Sequence, residues 1–258
     1  MTAFTSSRVS QSRTGHVVTL TLCRPPHNFV DASTMAQLAD LFAALDDDAD
    51  CRAIVLAAEG KSFCAGADFS SVPSGGEAMD PADFYVHAMR LFDNRKPVVA
   101  AVHGAAVGAG VGLALVADFR VTCEEARFSV NFNRLGFHPG FALSLTLPRL
   151  IGVQRASMLF YTGQRIGGAE ALAIGLADEL AGPGAVLARA QALASEIATS
   201  APLAVQSTRA TLRANLAQEV RAINQRELAE QQVQFRSEDF REGVKAMAER
   251  RTPRFHGY

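Results

Sequence analysis

Two stretches of the chain, SerPheCysAlaGlyAlaAspPhe (Ser62 to Phe69) and HisGlyAlaAlaValGlyAlaGlyValGlyLeuAlaLeuValAlaAsp (His103 to Asp118), can aim two free backbone N–H groups at one oxygen. In the second, Pro97 to Val102 reads as an apolar strand, His103-Gly104 as a turn, and Val107 to Ala117 as a helix opening made of Gly and Ala. N–H groups in the first turn of a helix have no intrahelical partner and attract negative charge. Small residues at Gly108, Ala109, Gly110 and Gly112 let a ligand reach that backbone. The first loop repeats the logic after strand Ala53 to Ala58, with Ala65-Gly66-Ala67 exposing backbone before Asp68. Two such turns converging on one carbonyl would stabilise an enolate or a tetrahedral oxyanion. Losing one donor from a comparable site costs about a hundredfold to a thousandfold in rate. Taken alone, the same Gly and Ala residues fit tight strand-to-helix packing equally well. Their spacing matches neither a dinucleotide fingerprint nor a P-loop, which also needs a Lys before Ser or Thr.

The elements that position these loops follow from composition and pattern. The chain has 258 residues, 48% hydrophobic and 20% charged, so it can bury a large core in one domain or in one domain with an appendage. Its formal net charge of −1 gives no general attraction to nucleic acid or to an anionic membrane, which leaves a metabolite or a protein as the expected partner. Cys23, Cys51, Cys64 and Cys123 are scattered, against a zinc site and against a disulfide-stapled scaffold. No opening apolar run suits a signal peptide, and no segment approaches the roughly 20 apolar residues of a membrane span. The expectation is a cytoplasmic protein.

Strand-like runs at Val17 to Leu22, Ala53 to Ala58 and Pro97 to Val102, each followed by a helical pattern, predict an α/β fold. The first helix is expected to start near Asp31 and Thr34, with Thr34 and Gln37 as a capping box, and to end at Asp46 to Asp48. The second opens with Asp80 as N-cap before Pro81 and carries Phe84, His87, Ala88 and Leu91 on one stripe. After about Phe128 strand signals nearly vanish, apart from a short one at Asp178 to Leu180. Helical patterns run over 141–150, 154–161, 186–199, 202–216, 220–235 and 237–249. Gly182-Pro183-Gly184 is the clearest hinge, dividing an α/β core at 1–182 from a helical region at 183–258.

LysProValValAlaAlaValHisGlyAlaAlaValGlyAlaGly, PheCysAlaGlyAlaAspPhe, the upstream ThrLeuCysArgPro with Asn28, and the downstream LeuGlyPheHisProGly together resemble the enoyl-CoA hydratase/isomerase (crotonase) superfamily. The resemblance runs from about Arg8 to Phe255. It implies a crotonase-like spiral of ββα units with a C-terminal helical trimerisation region, assembled as a homotrimer or a dimer of trimers. It implies an acyl-CoA ligand, with coenzyme A entering only as part of the substrate and no permanent cofactor or metal. The oxyanion donors would be the N–H groups of Ala67 and Ala109. Ala65, Gly66, Asp68 and Phe69, with Arg24 and the segment around Phe29, would lie along the pantetheine and adenine. Gly108, Gly110, Gly112 and Phe132 would border the bound thioester. Phe29 replaces the usual Ala at the entrance. The basic tail Arg250 to Phe255 would bring a cation and the Phe255 ring toward the coenzyme A end.

Hydratases of this superfamily hold a water between two Glu residues, and by the resemblance these align with Gly112 and Phe132. Acid–base groups of this kind are typically worth about a hundredfold to ten-thousandfold each, so ordinary hydration is not expected. His138 follows Phe132 closely and is the leading replacement acid or base, with a capping or packing His as the alternative. His87 reads as a core or interface residue, and His103 as structural. Asn131, Asn133 and Arg134 could bind a polar acyl group or anchor their loop. Asp118 and Asp68 read as structural contacts. Phe128, Phe132, Phe137 and Phe141 suggest an apolar acyl chamber or ordinary core. The expected function is therefore an atypical hydratase/isomerase-family enzyme that stabilises a thioester enolate, with isomerisation, decarboxylation and hydrolysis all open. The alternative is a non-catalytic acyl-CoA-binding sensor or partner protein. RNA binding, known among relatives with a Lys-rich helix, finds no Lys or Arg in the first helix here.

Overall fold

The computed structural model describes residues 8–68, 81–182 and 184–258. Strands β1 (Val9–Thr14) and β2 (Val17–Leu22) pair antiparallel, and helix α1 (Ala32–Asp47) follows. Then come β3 (Ala53–Ala58), β4 (Ser62–Cys64), α2 (Ala82–Arg90), β5 (Val98–Val102), β6 (Ala105–Val107), α3 (Ala109–Val116), β7 (Phe119–Thr122) and β8 (Arg127–Ser129). The second half runs α4 (Leu143–Ile151), α5 (Val153–Thr162), β9 (Arg165–Gly167), α6 (Gly168–Ala173), β10 (Glu179–Leu180), α7 (Val186–Ala198), α8 (Pro202–Leu212), α9 (Leu216–Gln234) and α10 (Glu238–Ala248).

The strands alternate between two sheets, ordered β1-β2-β3-β5-β7-β10 and β4-β6-β8-β9. Three strands of the first sheet each hand the chain to a short strand of the second, β3 to β4, β5 to β6 and β7 to β8. This is the expected spiral of ββα units. β2, β3, β5 and β7 are parallel neighbours, and the near-continuous Val, Ile, Leu and Ala runs of the central β3 and β5 are buried because both faces of the sheet are covered. β1 is the open edge: only Val9 of its six residues is buried.

Several expectations change in detail. The cap of α1 is Asp31, whose side chain accepts from the Thr34 N–H at 2.9 Å, while Gln37 reaches instead to the Val9 carbonyl. The Thr34–Gln37 capping box therefore does not form: an acceptor three residues earlier already takes the donor. Val107 closes β6 rather than opening a helix, and α3 begins at Ala109 after Gly108 turns the chain at φ +53°. β8 spans Phe128, after which strand signals were expected nearly to vanish; β9 is a further strand, in the gap between two helical patterns, and β10 is found where the short strand was expected. The N-cap assigned to Asp80 and the middle of the Gly182-Pro183-Gly184 hinge lie outside the described residues.

Val186, Ala190, Ala194 and Ala198 of α7 join the same core cluster as β3 and β5, so the helix after the hinge covers the sheet. The later helices are clamped to it by Asp118, between α3 and β7. Its carboxylate accepts from the Val98 N–H at 2.8 Å, from Arg209 Nε at 2.8 Å and from Arg213 Nη1 at 2.8 Å. Both arginines come from the α8 region and are largely buried. Asp118→Ala leaves two buried guanidinium groups without their anion, a loss expected to cost about 3–5 kcal/mol in urea denaturation. A change below about 1 kcal/mol would show that the clamp contributes little.

Candidate active site

The two donor loops meet because β4 and β6 pair in parallel, Ser62 beside Ala105 and Cys64 beside Ala106. α3 then starts hard against the first loop: a Cβ on Gly110 would overlap the Cys64 carbonyl, and one on Gly66 would come to 3.3 Å from the Val107 carbonyl oxygen. Larger residues there would pry the loops apart. Ala67 forms a parallel bridge with Val30 in which the Val30 N–H donates to the Gly66 carbonyl and the Asp68 N–H to the Val30 carbonyl. That pattern uses the groups flanking Ala67 and leaves its own N–H free. Ala109 is the first residue of α3, where no intrahelical acceptor exists. Among the described residues neither N–H has an acceptor, and both residues line one cavity of about 330 Å³.

The rest of that cavity is mainly aromatic. Phe29, 41% exposed, stands at its mouth, whereas Phe84, Phe132, Phe137 and Phe141 are buried in its wall. Phe132 faces the donor turn, 3.6 Å from where a Cβ on Gly108 would sit. Gly112 is buried within α3, and a Cβ there would come to 2.5 Å from Phe141 Cγ. The space into which a side chain at 112 would project is already filled by the Phe141 ring.

Polar lining groups are few. Asp31 is engaged by Arg8, by Arg24 and by the start of α1. Burial pushes its carboxyl up, but hydrogen bonds from Thr34 and Arg8 outweigh this and hold it below the usual carboxylate range. Asp68 accepts from Arg24 Nη2 at 3.0 Å, and Arg24 Nη1 donates to the Phe29 carbonyl at 2.7 Å. Arg24 thus fastens the two lining segments from behind and does not itself line the cavity. Asp83 lines the rim and faces His87 Nε2 at 3.8 Å. Asn131 reaches the cavity; Arg134 turns away to donate to the Thr162 carbonyl. Cys64, behind the first loop, is a core thiol that burial pushes up to about 12.

His138 does not line this cavity. Its N–H donates to Gln234 Oε1 at 2.6 Å, its carbonyl accepts from Gln231 Nε2, and its ring Nδ1 lies 2.7 Å from the Pro139 carbonyl oxygen. The expectation that it points into the pocket is corrected by the left-handed turn at Gly136, φ +82°, which redirects the chain after Phe132. Phe255 is 40% exposed and also lies away from the lining, as do Gly110 and Gly112. Phe69 falls outside the described residues. His103 Nε2 contacts the Gly60 carbonyl at 3.1 Å, a loop anchor. Sequence reasoning missed Asp31, Asp83, Tyr85, Phe235 and Met247 as lining residues. Only the buried stripe of α2, which carries Phe84, pointed toward that wall.

The enoyl-CoA hydratase/isomerase family matches residues 12–258. The chain belongs to this family. A carnitinyl-CoA dehydratase from Salmonella arizonae is 35% identical over 262 residues, covering 98% of this chain and 100% of the relative. A crystal structure of an enoyl-CoA hydratase/isomerase from Pseudoalteromonas atlantica superposes with a TM-score of 0.88 at 29% identity, covering 97% of this chain and 100% of that one. Another family structure, from Mycobacterium paratuberculosis, gives 0.83 at 31% identity over 92% of this chain and 97% of that one. The crotonase fold is thereby shown.

One buried acid near this hydratase/isomerase cavity titrates unusually. Burial raises the Glu227 carboxyl from its ordinary 4.5 to about 7, against hydrogen bonds from Ser144 and Ala142 that lower it. A carboxyl raised on folding adds stability below its unfolded value and loses it as pH climbs through the folded one. The melting temperature is therefore expected to fall between about pH 4.5 and 7, and Glu227→Gln to flatten that part of the profile. An identical slope in both proteins would refute the assignment. Separately, Gly112→Glu is expected to destabilise the fold through overlap with Phe141, and Gly112→Glu with Phe141→Ala to recover part of the loss in thermal melts.

Proposed function

We propose that this chain binds an acyl-CoA thioester with the carbonyl oxygen between the N–H groups of Ala67 and Ala109 and stabilises the thioester enolate there. The observation that carries this reading is a pair of unpaired main-chain donors, from two turns, opening on one apolar cavity. Donors held in place before reaction, in a site with little water, cost no reorganisation when charge develops. The relatives and neighbours carry the names of enzymes of CoA esters, which supports the ligand class.

The reaction is not ordinary hydration. Phe132 places an aromatic ring where one acid–base group would act, and Phe141 occupies the volume that a side chain at 112 needs. The chemistry left to the site is enolate formation followed by proton relocation or bond cleavage on the acyl group. Among the described lining carboxylates, Asp83 is the one with no arginine partner, and it takes the proton-transfer role in place of His138. Phe29 and Arg24 shape the entrance for the pantetheine arm. A second reading, acyl-CoA binding without turnover, is favoured by the missing carboxylates at 112 and 132. We assign the assembly as a homotrimer or a dimer of trimers, with Leu203, Leu212 and Val233, exposed on α8 and α9, available for such contacts.

A panel of saturated, α,β-unsaturated, β,γ-unsaturated and malonyl-type CoA esters, followed by thioester absorbance and product mass, separates these readings. Product from any but the hydration route supports the enzyme; binding with no product supports the sensor; hydration of a crotonyl ester at hydratase-like rates overturns the reading of positions 112 and 132. Ala109→Pro isolates the donor, since proline is tolerated at the first helical position but has no N–H. It is expected to lower turnover about a hundredfold to a thousandfold, or to weaken thioester binding if there is no turnover, with the fold intact by circular dichroism. Unchanged activity would remove Ala109 from the site.

A further inference from the structure

Phe141 and Ala142, at the entry to α4, are consecutive non-glycine residues in the left-handed region, at φ +63° and +55°. Such a conformation persists only where its surroundings impose it. The constraint here comes from α9. Glu227, fully buried, accepts from the Ala142 N–H through Oε2 at 2.7 Å, and through Oε1 from the Ser144 N–H at 2.9 Å and the Ser144 hydroxyl at 2.6 Å. Both carboxylate oxygens are used on the unpaired N–H groups at the start of α4, so a distant residue caps this helix where its own N-cap side chain, an alanine, cannot.

The strained pair throws the Phe141 ring inward. The ring is fully buried, covers Gly112, and packs edge-on against Phe84 at 6.0 Å and Phe92 at 6.4 Å between centroids. It also lines the cavity, on its buried side, whereas Phe29 lines it at the surface. We propose that Phe141 is the end wall that limits the length of the acyl group and that Glu227 is the residue positioning it, so that the site selects compact acyl chains. This rests on the acyl-CoA reading above. A carboxyl suits the position because each of its oxygens has a lone pair for one N–H; the amide of a glutamine turns an NH2 donor toward one of them.

The test is calorimetric titration of the full-length protein with saturated CoA thioesters from acetyl to dodecanoyl, for the native chain, Phe141→Ala, Phe141→Leu and Glu227→Gln. Affinity for the native chain is expected to peak at a short acyl group. Phe141→Ala moves the peak to longer chains, each additional buried methylene tightening binding about fourfold. Glu227→Gln broadens the profile toward longer chains. A Glu227 that is only structural would lower the melting temperature and leave the peak in place, which overturns its positioning role. If Phe141→Ala does not fold, Phe141→Leu carries the same comparison. Native affinity that climbs steadily to dodecanoyl, or a peak common to all folded variants, overturns the end wall while leaving the acyl-CoA reading intact. No binding of any thioester to the native chain overturns that reading itself, and the end wall with it.

Discussion

The site depends on the parallel pairing of two three-residue strands, β4 and β6, which sets two chain turns side by side with one free amide each. A main-chain donor cannot be moved by changing a rotamer, so its aim is fixed by the path of the backbone. That path is fixed in turn by contacts too close for side chains, such as Gly110 against the Cys64 carbonyl. Arg24 holds the outer side of the same arrangement through the Phe29 carbonyl, Asp31 and Asp68. The charged groups near the first loop are thus tied into its framework, and the polarity offered to a ligand comes mainly from peptide groups.

Around those donors the wall is built of aromatic rings. Phe132 and Phe137 meet edge to face at 5.5 Å, and Phe137 continues into Phe235 and Phe240 from the C-terminal helices. A wall of this kind lowers the local dielectric, which strengthens the field of the two amides and disfavours any charge that the ligand does not itself place beside them. The aromatic wall therefore sharpens the electrostatic discrimination that the two amides provide.

The long strands were legible because six-residue runs dominated by Val, Ile, Leu and Ala between turn signals leave few other structures, as at Val17–Leu22 and Ala53–Ala58. β4, β6, β8 and β9 are three residues each, too short to show a period, and their pairing partners are remote in sequence. The donor loops could be recognised from small residues next to strand ends, yet Ala109 as the first residue of α3 depended on the turn at Gly108, which placed Val107 in a strand. His138 misled because closeness along the chain says little about direction once a left-handed residue intervenes. Glu227 was invisible for another reason: it satisfies backbone groups 83 and 85 residues away, and no local pattern records a cap delivered from a different helix.

The clamp at Asp118 has a consequence for how the molecule can be divided. Arg209 and Arg213 of the α8 region tie the chain's final part to the start of β5 and the end of α3, and the helices that follow bring Glu227 to the start of α4 and Phe235 and Met247 to the cavity. The tail is therefore no detachable appendix. Exchanging it between homologous proteins would replace Phe235 and Met247 in the cavity lining and the Glu227 support of α4 while leaving both amides untouched, so the cavity's wall and its donors can change independently.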